Sequence, residues 1–360
     1  MKPVALLMFA FSTVVLPQTE TGTASNQAPA ASDGAKICQP PPSMLALIRH
    51  PLVVQAVHRR IAGQPTTMAP DGASKLSREW VEGKRKDWFI DNQRDGGDLI
   101  EAGVVLGDHK LVDNGLRELE WGYARQSQDG SFPETGDAFH GVSTYVLDTA
   151  RALLVLRDRR EEFAEFIPRL EKMIPHVGAA AEWLLQPAVL EPGKRRDQPY
   201  THRKWMLAAA LGEAGQLSGN ARLAVAATNF AAEGIVLQHE DGENPEKDGF
   251  DVSYQMVDAL NGARYYTTLN CQTSADLMSR VRRMIERTCR WEMRRILATG
   301  EIDVTGSTRM LKEPARSGDI KHTNYKEVVE AFSFAAAITG DSLYAQTAER
   351  LARFQGWVPR

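Results

Sequence analysis

The residues that could carry out chemistry in this sequence are grouped in four short segments, each at the start of a small-residue, apolar stretch. The segments are residues 139–145, 199–205, 251–255 and 321–325. They bring together histidine, tyrosine, arginine and amide side chains, which serve as general bases, general acids and partners of carboxylates. This combination suits the removal of a proton next to a carboxylate group.

Three residues from these segments are predicted to be catalytic. His202 is the expected base or the group that neutralises a substrate carboxylate, Arg203 is a second neutralising group, and Tyr254 is the expected acid. His140 and Tyr325 are reserves for these roles. The predicted substrate-binding residues are His140, Tyr145, Tyr200, Asp251, Gln255, Arg309, Lys321, His322, Asn324 and Tyr325. No metal ligands and no cofactor are predicted, because the sequence contains neither paired CxxC motifs nor an HExxH motif.

These residues also have structural interpretations. Asp251 is well placed to cap the helix that follows it, His140 could cap its own helix, and Tyr145 could be a core aromatic residue. The polar cluster at residues 200–203 could form an ion pair with the acidic segment 240–248, because arginine is rarely buried without a partner. Both interpretations stay open from the sequence.

The stretch from residue 248 to residue 266 indicates how such side chains are positioned. Asp248 and Gly249 predict a turn, and the residues that follow are small and apolar, with little charge on any face. A helix that is apolar nearly all round is buried, yet the first turn of this one carries polar groups that must be paired or used. We therefore predict an inner helix whose N-terminal end opens on a substrate cleft.

The same kind of uncharged helix recurs along the chain and alternates with longer, charged, amphipathic helices. Hairpins of this kind cannot bury their apolar faces alone and must stack. The pattern predicts an all-α protein, an (α/α)6 or (α/α)7 toroid in a single domain at residues 43–360, with an open solenoid as the alternative. An N-terminal pair at residues 42–62 and 76–90 forms one unit, and short β pieces are expected only near residues 301–305. The other uncharged helices begin near Gly97, Gly141, Thr201, Phe250 and Tyr325.

Long loops precede most of the uncharged helices, at residues 129–140, 190–202, 240–251 and 300–324. In an up-down ring these loops lie on one face, and long loops in a compact domain are usually functional. The N-terminal ends of the inner helices add positive dipole ends there. With four basic residues nearby, the cleft is expected to be electropositive although the whole chain carries a net charge of −3. The basic residues are Arg203, Lys204, Arg309 and Lys321.

The N-terminus predicts export. Residues 1–24 have a basic start, an apolar run and small residues before a cleavage site near Ala24, which is typical of a signal peptide; a membrane anchor is the alternative. Residues 25–42 are expected to be a flexible leader. We predict a secreted or periplasmic monomer that binds neither membranes nor nucleic acid. Export permits a disulfide, and Cys271 with Cys289 is the expected pair, which leaves Cys38 over.

These features favour cleavage of an anionic polysaccharide that contains uronic acids, by metal-independent β-elimination. Arginine, or an amide such as Asn324 or Gln255, neutralises the uronate carboxylate, which lowers the cost of removing the C5 proton. A histidine or tyrosine takes that proton, and a tyrosine donates one to the leaving O4. Tyrosine and tryptophan rings offer flat faces that suit the packing of sugar rings.

The hairpin alternation, the secretory start and the stretch Gly-Phe-Asp-Val-Ser-Tyr-Gln at residues 249–255 resemble the α/α-toroid polysaccharide lyases, including alginate and glucuronan lyases. The resemblance covers about residues 43–358 and concerns architecture and motif character. The Asn-Asn-His-x-Tyr-Trp signature of alginate lyases is absent from the sequence. No site residue is therefore transferred from that family, and the site residues above come from their positions alone.

Two other functions fit the same fold, since ring folds host several chemistries. A glycoside hydrolase would need two carboxylates about 6.5–9.5 Å apart if inverting, or about 5–5.5 Å apart if retaining. Asp251 would be the base or nucleophile, and the acid would come from one of four loop carboxylates. The third possibility is a non-catalytic glycan-binding or scaffold protein. The four loop carboxylates are Glu134, Asp137, Glu240 and Asp248.

Overall fold

The computed structural model describes residues 39–61, 68–272, 274–314 and 318–358. Within these ranges the regular elements are helices and the β contacts are isolated bridges, such as the one between Ile296 and Ile302. The all-α prediction is confirmed. The signal peptide predicted at residues 1–24, most of the leader and Cys38 lie outside the described residues. The α-helices are α1 (Met44–Ile48), α2 (Pro51–Ile61), α3 (Lys75–Val81), α4 (Asp95–Leu106), α5 (His109–Tyr123), α6 (Ala138–Arg157), α7 (Ile167–Leu184), α8 (Pro187–Asp197), α9 (Thr201–Ser218), α10 (Ala221–Leu237), α11 (Val252–Thr267), α12 (Ala275–Met293), α13 (Tyr325–Thr339) and α14 (Ser342–Phe354).

Three stretches differ from their predicted form. The helix predicted at residues 76–90 is short, since α3 ends at Val81. The stretch predicted as one helix at residues 42–62 contains two in its described part, which ends at residue 61, because Ser43 caps α1 and Pro51 begins α2, at a position where proline needs no N–H partner. The predicted loop at residues 190–202 is mostly helical, since α8 continues through Pro192. Gly193 serves close packing there: a Cβ atom would lie 2.4 Å from the Phe139 ring.

Contacts between helices follow a closed cycle. α2 packs against α4, α4 against α6, α6 against α9, α9 against α11, α11 against α13, and α13 against α2. At one point of this cycle, Nζ of Lys326 at the start of α13 donates to the carbonyl oxygen of Arg59, near the C-terminal end of α2, at 2.8 Å. The N-terminal end of α13 therefore lies beside the C-terminal end of α2.

The remaining long helices pack against members of this cycle as hairpin partners: α5 on α4, α7 on α6, α10 on α9, α12 on α11 and α14 on α13. The two kinds of helix differ in burial as their sequences indicate. α9 is buried on nearly every face, whereas α12 buries an apolar stripe that includes Val281 and Ile285 and exposes three of its arginines. Small residues allow close approach, and a Cβ atom on Gly115 of α5 would lie 2.4 Å from the carbonyl oxygen of Gly96.

Buried charges of alternating sign join the helices of the cycle. Arg151 of α6 pairs with Glu101 of α4, and Arg264 of α11 lies 3.4 Å from Glu330 of α13. Glu213 of α9 lies near both arginines, and burial raises the pKa of its carboxyl group to about 8 although the arginines oppose the shift. Because an unpaired buried charge is strongly destabilising, these pairs fix the relative heights of the helices.

A single carboxylate, Asp251, joins α11 to the segment that precedes α13. Its Oδ1 accepts hydrogen bonds from the backbone N–H groups of Ser253 and Tyr254, both at 3.0 Å. Its Oδ2 accepts from the hydroxyl of Ser307 at 2.6 Å and from the N–H groups of residues 309–310 at 3.1 and 3.0 Å. Asp251 is fully buried, so it acts as an N-cap and as a clamp on a distant loop.

The cysteine pair predicted to form a disulfide does not do so: Cys271 and Cys289 are both free thiols. Cys289 is fully buried on α12, where burial raises the pKa of its thiol. A thiol in such a place behaves as a small apolar residue.

Within the described part of the chain, no helix is long and apolar enough to cross a membrane.

The clamp leads to a stability prediction. We expect Asp251→Ala to lower the free energy of unfolding by about 3–5 kcal/mol, because it removes a helix cap and leaves buried N–H donors without partners. The matched control is Asp341→Ala, which removes a more exposed N-cap that accepts from the N–H of Leu343 at 2.9 Å, with an expected loss of about 1 kcal/mol. Urea titrations of both variants give the two values. Equal losses would contradict the clamp.

Candidate functional site

A cavity of about 440 Å³ lies where the N-terminal ends of α4, α6, α9, α11 and α13 meet. Its volume falls in the usual range of ligand pockets, about 300–1,000 Å³. Five predicted site residues do not line it, namely Tyr145, Tyr200, Asp251, Gln255 and Tyr325. The predicted site residues that do line it are His140, His202, Arg203, Tyr254, Arg309, Lys321, His322 and Asn324.

His202 is oriented by a buried carboxylate. Its Nδ1 lies 2.8 Å from Oε2 of Glu246, and both residues are almost fully buried. Because a carboxylate accepts a hydrogen bond, Nδ1 carries the proton and Nε2 is left as the acceptor. Burial lowers the pKa of His202 and outweighs Glu246, which acts to raise it. The imidazole is therefore neutral near pH 7, as a general base must be.

Tyr254 packs directly against this histidine. The two ring centroids lie 4.3 Å apart, and the guanidinium carbon of Arg309 lies 4.0 Å from the centroid of the Tyr254 ring. Burial raises the pKa of Tyr254 to about 12, although Arg309 opposes the shift. The phenol therefore keeps its proton at neutral pH and can donate it to a leaving oxygen.

Arg309 is fixed by two carboxylates. Its Nη1 donates to Oε1 of Glu246 at 2.6 Å, and its Nε donates to Oε2 of Glu313 at 2.9 Å. Glu313 also contacts Lys247 and lies 3.2 Å from Nζ of Lys321. Burial acts to raise the pKa of Glu313, but hydrogen bonds from these three cationic groups lower it to about 2. Glu246 thus holds the base and the arginine side by side.

Arg203 is also paired with carboxylates. It forms an ion pair with Asp197 at the end of α8, lies 3.7 Å from Asp137, and has its guanidinium carbon 4.5 Å from the centroid of the Tyr200 ring. Tyr200 itself lies edge-on to His202, with centroids 5.8 Å apart. Arg203 lines the cavity, whereas Tyr200 supports the arginine and the histidine from behind.

Four of the predicted substrate-binding residues have structural roles instead. Tyr145 is fully buried and donates from its hydroxyl to the carbonyl oxygen of Leu119 at 2.5 Å. Asp251 is the clamp described above, with both oxygens occupied. Gln255 uses both ends of its amide on the segment before α11, accepting from the N–H of Asn244 and donating to the carbonyl oxygen of residue 242.

Tyr325 is the fourth of these residues. It accepts a hydrogen bond from the N–H of Ile302 at 3.0 Å and packs against Phe354, with ring centroids 5.5 Å apart. Its side chain therefore supports the segment before α13 and does not line the cavity. Aromatic type and position at a helix start do not by themselves show which way a side chain points.

Sequence reasoning missed the charged residues that α4, α6 and α13 place in the cavity. Acidic residues in a first helical turn are normally read as partners of the helix dipole, so Asp95, Asp98 and Glu327 gave no distinct signal. Six cationic side chains and four carboxylates line the cavity, so its lining is of mixed charge and not simply electropositive. The missed charged residues are Arg94, Asp95, Asp98, Asp148, Arg264, Lys326 and Glu327.

Comparison of the chain with protein-family models and with curated proteins finds no match. Within the described ranges, no group of three or more histidine, cysteine, aspartate or glutamate side chains is placed to hold a metal ion. What the site can do must therefore be argued from its own geometry: a neutral histidine, a protonated tyrosine and fixed cationic groups in one cavity.

The contact between His202 and Glu246 predicts the effect of Glu246→Gln on the histidine. Removing the carboxylate charge disfavours the imidazolium, and Arg309 then acts on it unopposed, so the pKa of His202 should fall further. Titration of the imidazole signals by NMR measures this shift. Glu243→Gln is the control, because this carboxylate lies 3.4 Å from the exposed His239 and not against His202. An unchanged or raised pKa of His202 in Glu246→Gln would contradict the assignment.

Proposed function

We propose that the chain is an α/α-toroid polysaccharide lyase that cleaves a uronate-containing polysaccharide by β-elimination. Six helices form a closed cycle of contacts, and five of them pack against an outer partner helix. This supports an (α/α)6 arrangement. The observation that carries the activity is the group formed by His202, Tyr254 and Arg309. A neutral base, a protonated acid and a fixed cation lie in contact with one another at the wall of a cavity.

The carboxylate of the uronate is bound by cationic groups in this proposal. Arg309, Lys321 and Arg203 all line the cavity, and Arg203 does so from α9. Asn324 adds an amide at the start of α13. These groups lower the cost of the negative charge that accumulates on the carboxylate as the C5 proton leaves. Arg309 is a more suitable neutralising group than Arg203, since it lies directly against the acid.

The side chains of His202 and Tyr254 then carry out the two proton transfers. Nε2 of His202 takes the C5 proton, and the C5–H electron pair forms the C4–C5 double bond as the C4–O4 bond breaks. The hydroxyl of Tyr254 donates its proton to O4 of the leaving sugar. The tyrosinate regains a proton from the imidazolium of His202 in the neighbouring ring, so both groups return to their starting states.

A glycoside hydrolase is the second candidate, and the four carboxylates in the cavity favour it. Asp251, expected as base or nucleophile, does not suit that role, because it is fully buried and accepts five hydrogen bonds. Asp95, Asp98, Asp148 and Glu327 are the carboxylates that reach the cavity. Asp148 is 2.8 Å from Arg151, and although burial acts to raise its pKa, the neighbouring arginines lower it.

Tyr254→Phe tests the elimination directly. We expect a loss of about 10²–10⁴-fold in kcat, because the leaving oxygen loses its proton donor. Formation of the unsaturated product is followed by its ultraviolet absorbance on alginate, glucuronan and pectate. Tyr325→Phe is the matched control, since its hydroxyl contacts only the segment before α13 in the described structure; it should keep most of its activity.

The same assay separates the two reactions. New reducing ends without ultraviolet absorbance, lost in Asp148→Asn or Glu327→Gln but kept in Tyr254→Phe, would show a hydrolase and contradict the lyase. Melting curves of all variants report whether the fold is intact.

Export and association are proposed on the sequence alone. We propose that the protein acts outside the cytoplasm, in the periplasm or the medium, after cleavage near Ala24, and that it works as a monomer on a polymeric substrate. A large polysaccharide cannot cross the inner membrane unaided, so an exported enzyme would meet it where it is found. The mature N-terminus, determined by mass spectrometry of the secreted protein, tests the cleavage position.

A further inference from the structure

The cavity extends well below the proposed catalytic pair. On α11 its lining runs from Ser253, in the first turn, to Arg264. At 1.5 Å per residue along an α-helix, this stretch corresponds to about 16 Å. His202 and Tyr254 lie in the first turns of their helices, whereas Asn261 and Arg264 lie two to three turns further in. The cavity is therefore a shaft parallel to the inner helices, with the reactive rings near its outer end.

The inner end of the shaft is closed by buried charges. Asp98 and Asp148 line the cavity, but Glu101 and Arg151, one turn further along the same helices, are 0 % and 1 % exposed. Glu330 of α13 is 1 % exposed and lies beside Arg264. Below this layer, α1 packs against α2, α6 and α13. Within the described residues, the shaft thus has a floor and does not continue through the molecule.

A polysaccharide can occupy a closed shaft only with one of its ends. We infer that the site is exolytic: it binds a chain end against the floor and cleaves at a fixed distance from that end. This inference rests on the proposed lyase function and adds how the substrate is engaged. Asn261, Arg264 and the carboxylates of Asp98 and Asp148 offer donors and acceptors to the hydroxyl and acid groups of the terminal sugars.

The floor fixes the length of the released fragment, because the separation between the floor and the His202–Tyr254 pair is set by the helices. All early products should therefore have one size. A cleft open at both ends would instead cut anywhere along the chain and release fragments of many lengths.

The experiment follows the unsaturated products of the wild-type protein over time, on the uronate polymer that it cleaves best, by size-exclusion chromatography. We expect one short product from the first time point, with the remaining polymer shortening slowly. A second arm uses fractions of that polymer cut to different lengths by mild acid, at equal mass. Halving the mean chain length doubles the number of ends and should double the initial rate.

An early ladder of intermediate lengths, or a rate that does not depend on the number of ends, would overturn the exolytic inference and leave the lyase function standing. Absence of any ultraviolet-absorbing product on all the polymers would instead overturn the proposed function, and the inference with it.

Filling the shaft gives a further check. Leu147 of α6 lines the cavity and is 2 % exposed, so Leu147→Phe should raise KM for the chain end several-fold. Leu343→Phe, on the exposed surface of α14, is the matched control and should leave KM unchanged. A melting curve shows whether the added ring disturbs the fold. An unchanged KM in a folded Leu147→Phe protein would contradict occupation of the shaft.

Discussion

The hydrogen bonds of Asp251 are the contacts on which the geometry of the site depends. One carboxylate fixes the first turn of α11, which carries Tyr254, and the turn at residues 307–310, which carries Arg309. The two segments are separated by more than fifty residues of chain and have no strand or disulfide between them among the described residues. Arg309 lies in the long loop between α12 and α13, and ordering such a loop costs much entropy, so a buried, fully bonded anchor helps to hold Arg309 against the phenol.

Glu246 holds the His202 side chain in position, as Asp251 holds the helix turn that carries Tyr254. It accepts from His202 with one oxygen and from Arg309 with the other. Two effects compete at the imidazole: the carboxylate raises its pKa and burial lowers it, and burial is the larger. Arg309 works in the same direction as burial, because its positive charge disfavours the imidazolium. The histidine is thus oriented by a carboxylate and still remains neutral, the state that can accept a proton.

The sequence predicted the parts of the fold that depend on local pattern. The uncharged helices, their amphipathic partners and the gathering of His202, Tyr254 and Arg309 at helix starts or in the preceding loop all follow from periodicity and residue type. What it could not predict depends on long-range docking. Glu246 lies 44 residues from His202 and 63 residues from Arg309 in the chain, and nothing in the acidic segment 240–248 distinguishes it from its neighbours. Tyr325 has the right residue type at the right helix start, yet its side chain points to Ile302.

The charge of the site also shows why a count of basic residues was misleading. Arg203 is backed by Asp197, and Arg309 and Lys321 share Glu313. Each of these cations therefore meets the cavity with much of its charge already compensated. A paired guanidinium still presents N–H donors in a fixed direction, but it attracts a distant anion only weakly. Recognition of a uronate would then depend on close hydrogen bonding to its carboxylate and not on long-range attraction. Such a site can distinguish a carboxylate by its geometry while the acidic residues on α4 and α6 accept from the hydroxyl groups of the same sugar.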